Sequence, residues 1–182
     1  LVAGGTLAFL PLALSRCLEL WDPALCHDAN LTLFPQTSSV SSPACLDGSA
    51  YGAYFRASPT RNTKWTMFLQ GGGWCYDEKD CLSRSKTDLG SSSKWPATSG
   101  CGCMNLKDGG SIDDSCNCLW LEYCDGASFS GFRSSPWPVP GGGNLTFRGI
   151  RNLDAALEWA IANAGLADAT EFVLTGGSAG GL

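Results

Sequence analysis

TEFVLTGGSAGGL, Thr170 to Leu182, is the stretch on which the fold turns. Thr170 to Thr175 reads as a short apolar strand. It runs straight into Gly176-Gly177-Ser178-Ala179-Gly180, which has the form G-x-S-x-G. A serine nucleophile needs its hydroxyl lifted above a sheet edge, where a base reaches it. A sharp strand-to-helix turn does this, and small flanking residues keep the backbone from clashing. Ser178 is therefore the candidate nucleophile. The alternative is a flexible glycine-rich loop, in a chain with 23 glycines among 182 residues.

The residues before this stretch favour the turn. In RNLDAALEWAIANAG, Arg151 to Gly165, the apolar positions Leu153, Ala156, Leu157, Ala160 and Ile161 recur three and four apart. That spacing predicts an amphipathic helix, with Gly165 as its stop. Leu119 to Cys124 reads as a strand ended by Asp125-Gly126. Strand, long helix, strand and glycine turn make an α/β unit, which builds a parallel pair. Tyr51 to Arg56 and Trp65 to Leu69 read as further strands, and a short helix is expected near 78–86.

The strand Trp65 to Leu69 leads into Gln70-Gly71-Gly72-Gly73-Trp74-Cys75. Acyl transfer needs backbone N–H groups aimed at a developing oxyanion. Glycines let the main chain come close to a substrate. In a loop of the HGGG type the donors work together with the N–H of the residue after the nucleophile. Here they are Gly72, Gly73 and Ala179. A tight turn with Trp74 packed into the core is the plainer alternative. The triplet lacks the G-K-[ST] of a phosphate loop and the spacing of a dinucleotide site, so no cofactor is implied.

Twelve basic residues against 17 acidic ones give a net charge of −5. The basic residues form no patch, which argues against a nucleic-acid partner. Ten cysteines, at 17, 26, 45, 75, 81, 101, 103, 116, 118 and 124, point to disulfides and a secretory route. The rival is a metal site at the two C-x-C pairs, Cys101/Cys103 and Cys116/Cys118. That spacing is tight for structural zinc, so no metal is expected. Leu1 to Ser15 is apolar and too short to span a bilayer. It reads as the apolar part of a signal peptide, with a buried N-terminal segment as the alternative. Asn30-Leu31-Thr32 and Asn144-Leu145-Thr146 are acceptor sequences for N-glycosylation, at Asn30 and Asn144.

CLDGSAYGAYF, KWTMFLQGGGWC, CLSRSKTDLGSS, LEYCDGASFSG, NLTFRG and VLTGGSAGGL occur in that order from Cys45 to Leu182. In these motifs and their spacing the chain resembles the pectin acetylesterase and Notum family of carboxylesterases. The resemblance implies an α/β-hydrolase fold, incomplete here, with a mostly parallel central sheet and disulfide-rich loops. The resemblance covers Cys45 to Leu182, the N-terminal part of a hydrolase domain at 45–182; composition reads 1–15 as a signal-peptide remnant and 16–44 as a loop-rich N-terminal extension. That domain is expected to be cut just after the nucleophile turn. The resemblance makes Ser178 catalytic, gives Gly72, Gly73 and Ala179 to the oxyanion hole, and sets Trp74 at the pocket mouth. Asp125 is expected as a turn or pocket-shaping residue.

The implied function is a secreted or cell-wall serine esterase removing O-acetyl groups from polysaccharide such as pectin. The alternatives are a Notum-like protein or lipid-ester deacylase, and a non-catalytic disulfide-rich binding domain. The implied partner is the acyl-ester substrate. Two features depart from the family pattern: Gln70 stands where Glu is common, and residues 99–118 carry the extra C-x-C pairs. The sole histidine, His27, lies in a loop before the strands that build the site, so it is not expected to be the base. The triad acid and base are expected beyond Leu182, and the 182 residues alone are expected to be inactive.

Overall fold

The computed structural model describes residues 29–37, 42–61, 63–99 and 116–181. Its strands are β1 (Ala29–Leu33), β2 (Gly52–Arg56), β3 (Lys64–Leu69), β4 (Thr98–Ser99), β5 (Asn117–Leu121), β6 (Trp137–Pro138), β7 (Asn144–Leu145) and β8 (Glu171–Gly176). Its α-helices are α1 (Glu78–Arg84) and α2 (Gly149–Asn163). Six strands form one sheet in the order β4-β1-β2-β5-β3-β8, and β6 pairs with β7 in a small ribbon.

The sheet is mixed. β5 and β8 both run parallel to β3. β2 is antiparallel to β5, and β1 is antiparallel to β2 and β4. The expected parallel character therefore holds for the β5-β3-β8 half alone. The strands of the predicted α/β unit, β5 and β8, are parallel but not adjacent, because β3 lies between them. β1 falls within the stretch 16–44 that reads as loop-rich. It was hidden because ANLTL is short and weakly apolar, and its order comes from pairing with β2 and β4.

Period-two alternation builds two cores. Met67 opposes Leu119, and Leu69 opposes Leu121, on the face that packs toward α2. Phe68 opposes Trp120 on the other face, with ring centroids 4.2 Å apart and stacked. Tyr54 and Ala29 complete that second cluster. α2 buries Asn152, Ala156 and Ala160. Ile161, expected in the apolar stripe, is 52% exposed. It sits about 140° around the helix from Ala156, outside the buried face. Phe172 and Leu174 lie opposite Trp65 and Met67 in register, yet both are exposed. The main contacts of α2 with the sheet are with β2 and β5.

Asn152 ties the chain's early segment to α2. Its Oδ1 accepts the Ala44 N–H at 2.9 Å, and its Nδ2 donates to the Ala44 carbonyl at 3.1 Å. The side chain is fully buried. Asn152→Ala strands two buried backbone groups and is expected to cost about 2–4 kcal/mol. Chemical denaturation checks this, and an unchanged midpoint would show that the clamp contributes nothing.

Cys45 is bonded to Cys124, 79 residues away, and Cys75 to Cys81. Cys116 and Cys118 are also disulfide-bonded, so the zinc alternative fails for that pair. Cys17, Cys26, Cys101, Cys103, His27 and residues 1–15 lie outside the described residues. Among the described residues no helix is long and apolar enough to cross a membrane.

Candidate active site

β3, β5 and β8 point the same way, so the segments that follow them open on one edge of the sheet. Ligand sites of α/β sheets form at this carboxyl edge. After β8 the chain turns into a short 3-10 turn, Ser178–Gly181. Ser178 has φ of 50°, a left-handed conformation that costs a non-glycine residue about 1–3 kcal/mol. Its neighbours Gly177, Ala179 and Gly180 are buried, while Ser178 itself is exposed. The turn buries the residues on either side and leaves Ser178 exposed.

Close packing explains the glycines. A Cβ on Gly176 would lie 2.1 Å from the Gly180 carbonyl oxygen, and one on Gly180 would lie 2.3 Å from that of Leu69. The Gly177 N–H donates to the Leu69 carbonyl at 3.1 Å, fastening the turn to the end of β3. A Cβ on Gly71 would lie 2.3 Å from the Gly177 oxygen and 2.8 Å from Ser178 Cβ. The glycine loop and the serine turn are thus in direct backbone contact. Gly71 is the residue that sequence reasoning missed, although the triplet itself was the visible signal.

The loop after β3 is held from behind by the segment after β5. The Gln70 Oε1 accepts the Tyr123 N–H at 2.7 Å. An amide oxygen serves as well as a carboxylate oxygen here, so the change from the family's Glu keeps this anchor. The Tyr123 hydroxyl donates to the Gly73 carbonyl at 2.6 Å and accepts the Ser128 N–H at 3.2 Å. Arg84 Nη2 donates to the Trp74 carbonyl at 3.3 Å, and its guanidinium lies 5.8 Å from the centre of the Tyr123 ring. Among the described residues no acceptor takes the N–H of Gly72 or Gly73. Trp74 is 40% exposed and donates its indole N–H to Ser128 Oγ at 2.6 Å. Tyr123 and Arg84 belong to the YCDG and CLSR motifs, and neither was singled out from the sequence.

Asp125 is 1% exposed. Its carboxylate accepts the N–H groups of Ala127 and Phe129 and shapes a loop in which Ser128 and Phe129 both have positive φ. It abuts the start of α2, where a Cβ on Gly149 would lie 2.4 Å from Oδ2. It therefore shapes the loop from within and faces no open pocket. Burial raises its pKa from 3.8 to about 6, against the lowering effect of the N–H bonds from Phe129 and Ala127.

A raised carboxyl pKa favours the folded state most when the group is protonated. Its contribution is full below about pH 4 and is lost as pH rises through about 6. Relative to Asp125→Asn, the wild type is expected to lose about 3 kcal/mol of stability between pH 4 and pH 7. Parallel denaturation curves at those pH values check this, and curves that shift together would remove Asp125 as the cause.

Among the described residues no cluster of three His, Cys, Asp or Glu side chains is placed to hold a metal. The profile of the pectinacetylesterase family matches residues 25–182. The chain belongs to that family. Pectin acetylesterase 5 of Arabidopsis thaliana is 36% identical over 141 residues, which are 76% of this chain and 32% of that protein. The palmitoleoyl-protein carboxylesterase NOTUM of Schmidtea mediterranea is 32% identical over 158 residues, 84% of this chain and 28% of that protein. The chain thus spans about a third of the length of these pectinacetylesterase relatives. The solved Wnt deacylase Notum from Drosophila superposes with a TM-score of 0.68 at 27% identity, over 85% of this chain and 44% of that one. The fold is α/β-hydrolase-like. The family match begins at residue 25 and so takes in β1, which the motif resemblance from Cys45 onward did not reach.

Proposed function

We propose that these residues carry the nucleophile turn and oxyanion loop of a secreted serine esterase that removes O-acetyl groups from cell-wall polysaccharide such as pectin. The carrying observation is the backbone contact between Gly71 and the strained Ser178 turn. It sets an exposed serine beside a loop with two N–H groups unclaimed among the described residues. Likeness to Arabidopsis pectin acetylesterases supports the acetyl substrate.

In this reading a histidine other than His27, from sequence beyond these residues, takes the Ser178 proton. Ser178 Oγ attacks the ester carbonyl, and the N–H groups of Gly72, Gly73 and Ala179 hold the oxyanion. The protonated histidine gives its proton to the departing alcohol. Water, deprotonated by the same histidine, then releases the acid and restores the serine. Trp74 stands at the rim of this loop cluster, and Asp125 supports it from beneath. Exposed Asn30 and Asn144 are the proposed glycosylation sites of the secreted protein.

A second reading, a Notum-like deacylase, is favoured by the Drosophila superposition. Turnover of acetyl against long-chain acyl esters separates the two, because a closed apolar pocket would prefer the longer chain. The test of both is covalent labelling of the full-length protein by a fluorophosphonate. Labelling is expected at Ser178, and an unlabelled serine at saturating reagent would end the esterase reading.

A further inference from the structure

The loop that carries Gly72 and Gly73 continues into a second feature. A cleft of about 540 Å³ opens between residues 75–81 and residues 131–137, with Leu145 and Phe147 in its lining. Its size is that of a small-ligand site. Three aromatic side chains stand around it: Tyr76 at 82% exposure, Phe132 at 44% and Trp137 at 36%. Exposed rings gathered in this way mark an interaction site more often than a bare surface.

The cleft is built and held. The Cys75–Cys81 disulfide closes the segment that carries Tyr76, Asp77 and Glu78. Asp77 caps α1 by accepting the Asp80 N–H, and Asp80 in turn accepts the Tyr76 N–H. Glu78 Oε1 accepts the Trp137 indole N–H at 2.7 Å, and the Arg133 guanidinium lies 4.5 Å from the centre of the same ring. The Trp137 plane is thus fixed beside the Glu78 carboxylate and the Arg133 guanidinium.

We propose that this cleft binds a neutral oligosaccharide segment. A sugar ring offers an apolar C–H face to an aromatic plane and a rim of hydroxyls that both donate and accept. Asp77 and Glu78 accept hydroxyl hydrogens, and Arg133 donates to hydroxyl oxygens. A lipid chain would desolvate all three charged groups and offer them no hydrogen bond in return. In the lining a polyanion would meet Asp77 and Glu78 against Arg133 alone. Arg148 and Arg151 lie 5.2 and 4.9 Å from the centre of the Phe132 ring, but are held by the Arg133 and Ser134 carbonyls and by Asp154. The charge pattern therefore selects an uncharged, hydroxyl-rich ligand. Binding requires no chemistry at Ser178, while the suggestion that the cleft holds an unreacted length of substrate rests on the esterase reading.

The experiment titrates the full-length protein with β-1,4-galactotetraose, xylotetraose and arabinotetraose, with tetragalacturonate as the anionic arm, followed by calorimetry. Saturable millimolar or tighter binding of at least one neutral probe is expected. Tyr76→Ala should weaken it roughly fivefold or more, by loss of one stacking plane. Ser178→Ala should bind as the wild type does, and Tyr76→Ala should hydrolyse a small soluble ester at the wild-type rate. Failure of all three neutral probes, binding of tetragalacturonate alone, or equal affinity in Tyr76→Ala would each overturn the proposal. Binding of a neutral probe by a wild-type protein that hydrolyses no ester would instead count against the esterase reading alone.

Discussion

Ser178→Ala in the full-length protein is expected to lower ester hydrolysis roughly 10⁵-fold or more and to abolish fluorophosphonate labelling. The size follows from the role. Without the Oγ there is no acyl-enzyme, and only binding and the oxyanion donors remain. The fold should barely notice. Ser178 is exposed and alanine meets the same left-handed φ of 50°, so the strain is unchanged. Ser178→Gly sharpens the test, because glycine adopts that φ freely. It should be equally inactive yet about 1 kcal/mol more stable than Ser178→Ala. Residual labelling in either variant would place the nucleophile elsewhere. A large loss of stability in Ser178→Ala would make the serine structural.

The parts legible in the sequence were those written in local pattern. The period of α2 lies in Leu153, Ala156, Leu157 and Ala160, and β8 lies in a β-favouring run cut by glycine. The serine turn announced itself because Gly176 and Gly180 answer steric contacts that no side chain survives. What escaped was set by distant partners. β1 is a strand only because β2 and β4 flank it, and the direction of β2 against β5 has no local signature. Tyr123 reads as one more aromatic in a strand. Its hydroxyl becomes the pin of the glycine loop only when β5 is laid beside β3. Asp125 likewise looks like a turn residue until α2 closes over it.

Gly71→Ala is expected to damage the site severely with a single methyl. Its Cβ would lie 2.3 Å from the Gly177 carbonyl oxygen and 2.8 Å from Ser178 Cβ. Neither neighbour is a flexible side-chain tip. Gly177 is bonded to the Leu69 carbonyl, and Gly180 sits against that same carbonyl with no room to retreat. Either the serine turn lifts off the end of β3 or the glycine loop swings outward. The loop is tied by Gln70 to Tyr123 and by Tyr123 to Gly73, so its displacement breaks those bonds too. A loss of about 2–4 kcal/mol in stability follows from overpacking with such poor relaxation. A displacement of about 1 Å between nucleophile and oxyanion donors lowers the rate roughly 100-fold or more. Gly72→Ala is the instructive contrast. Its Cβ meets the Tyr123 ring and a Leu89 methyl at 2.8 and 2.9 Å, and not the backbone of the serine turn. Its serine should remain more reactive than that of Gly71→Ala. Gly142→Ala, with nothing within 4 Å, pays only for its positive φ and should label at the wild-type rate. Thermal unfolding and fluorophosphonate labelling rates measured on the three variants decide the matter. Wild-type labelling in Gly71→Ala would mean that the loop and the serine turn do not act as one unit.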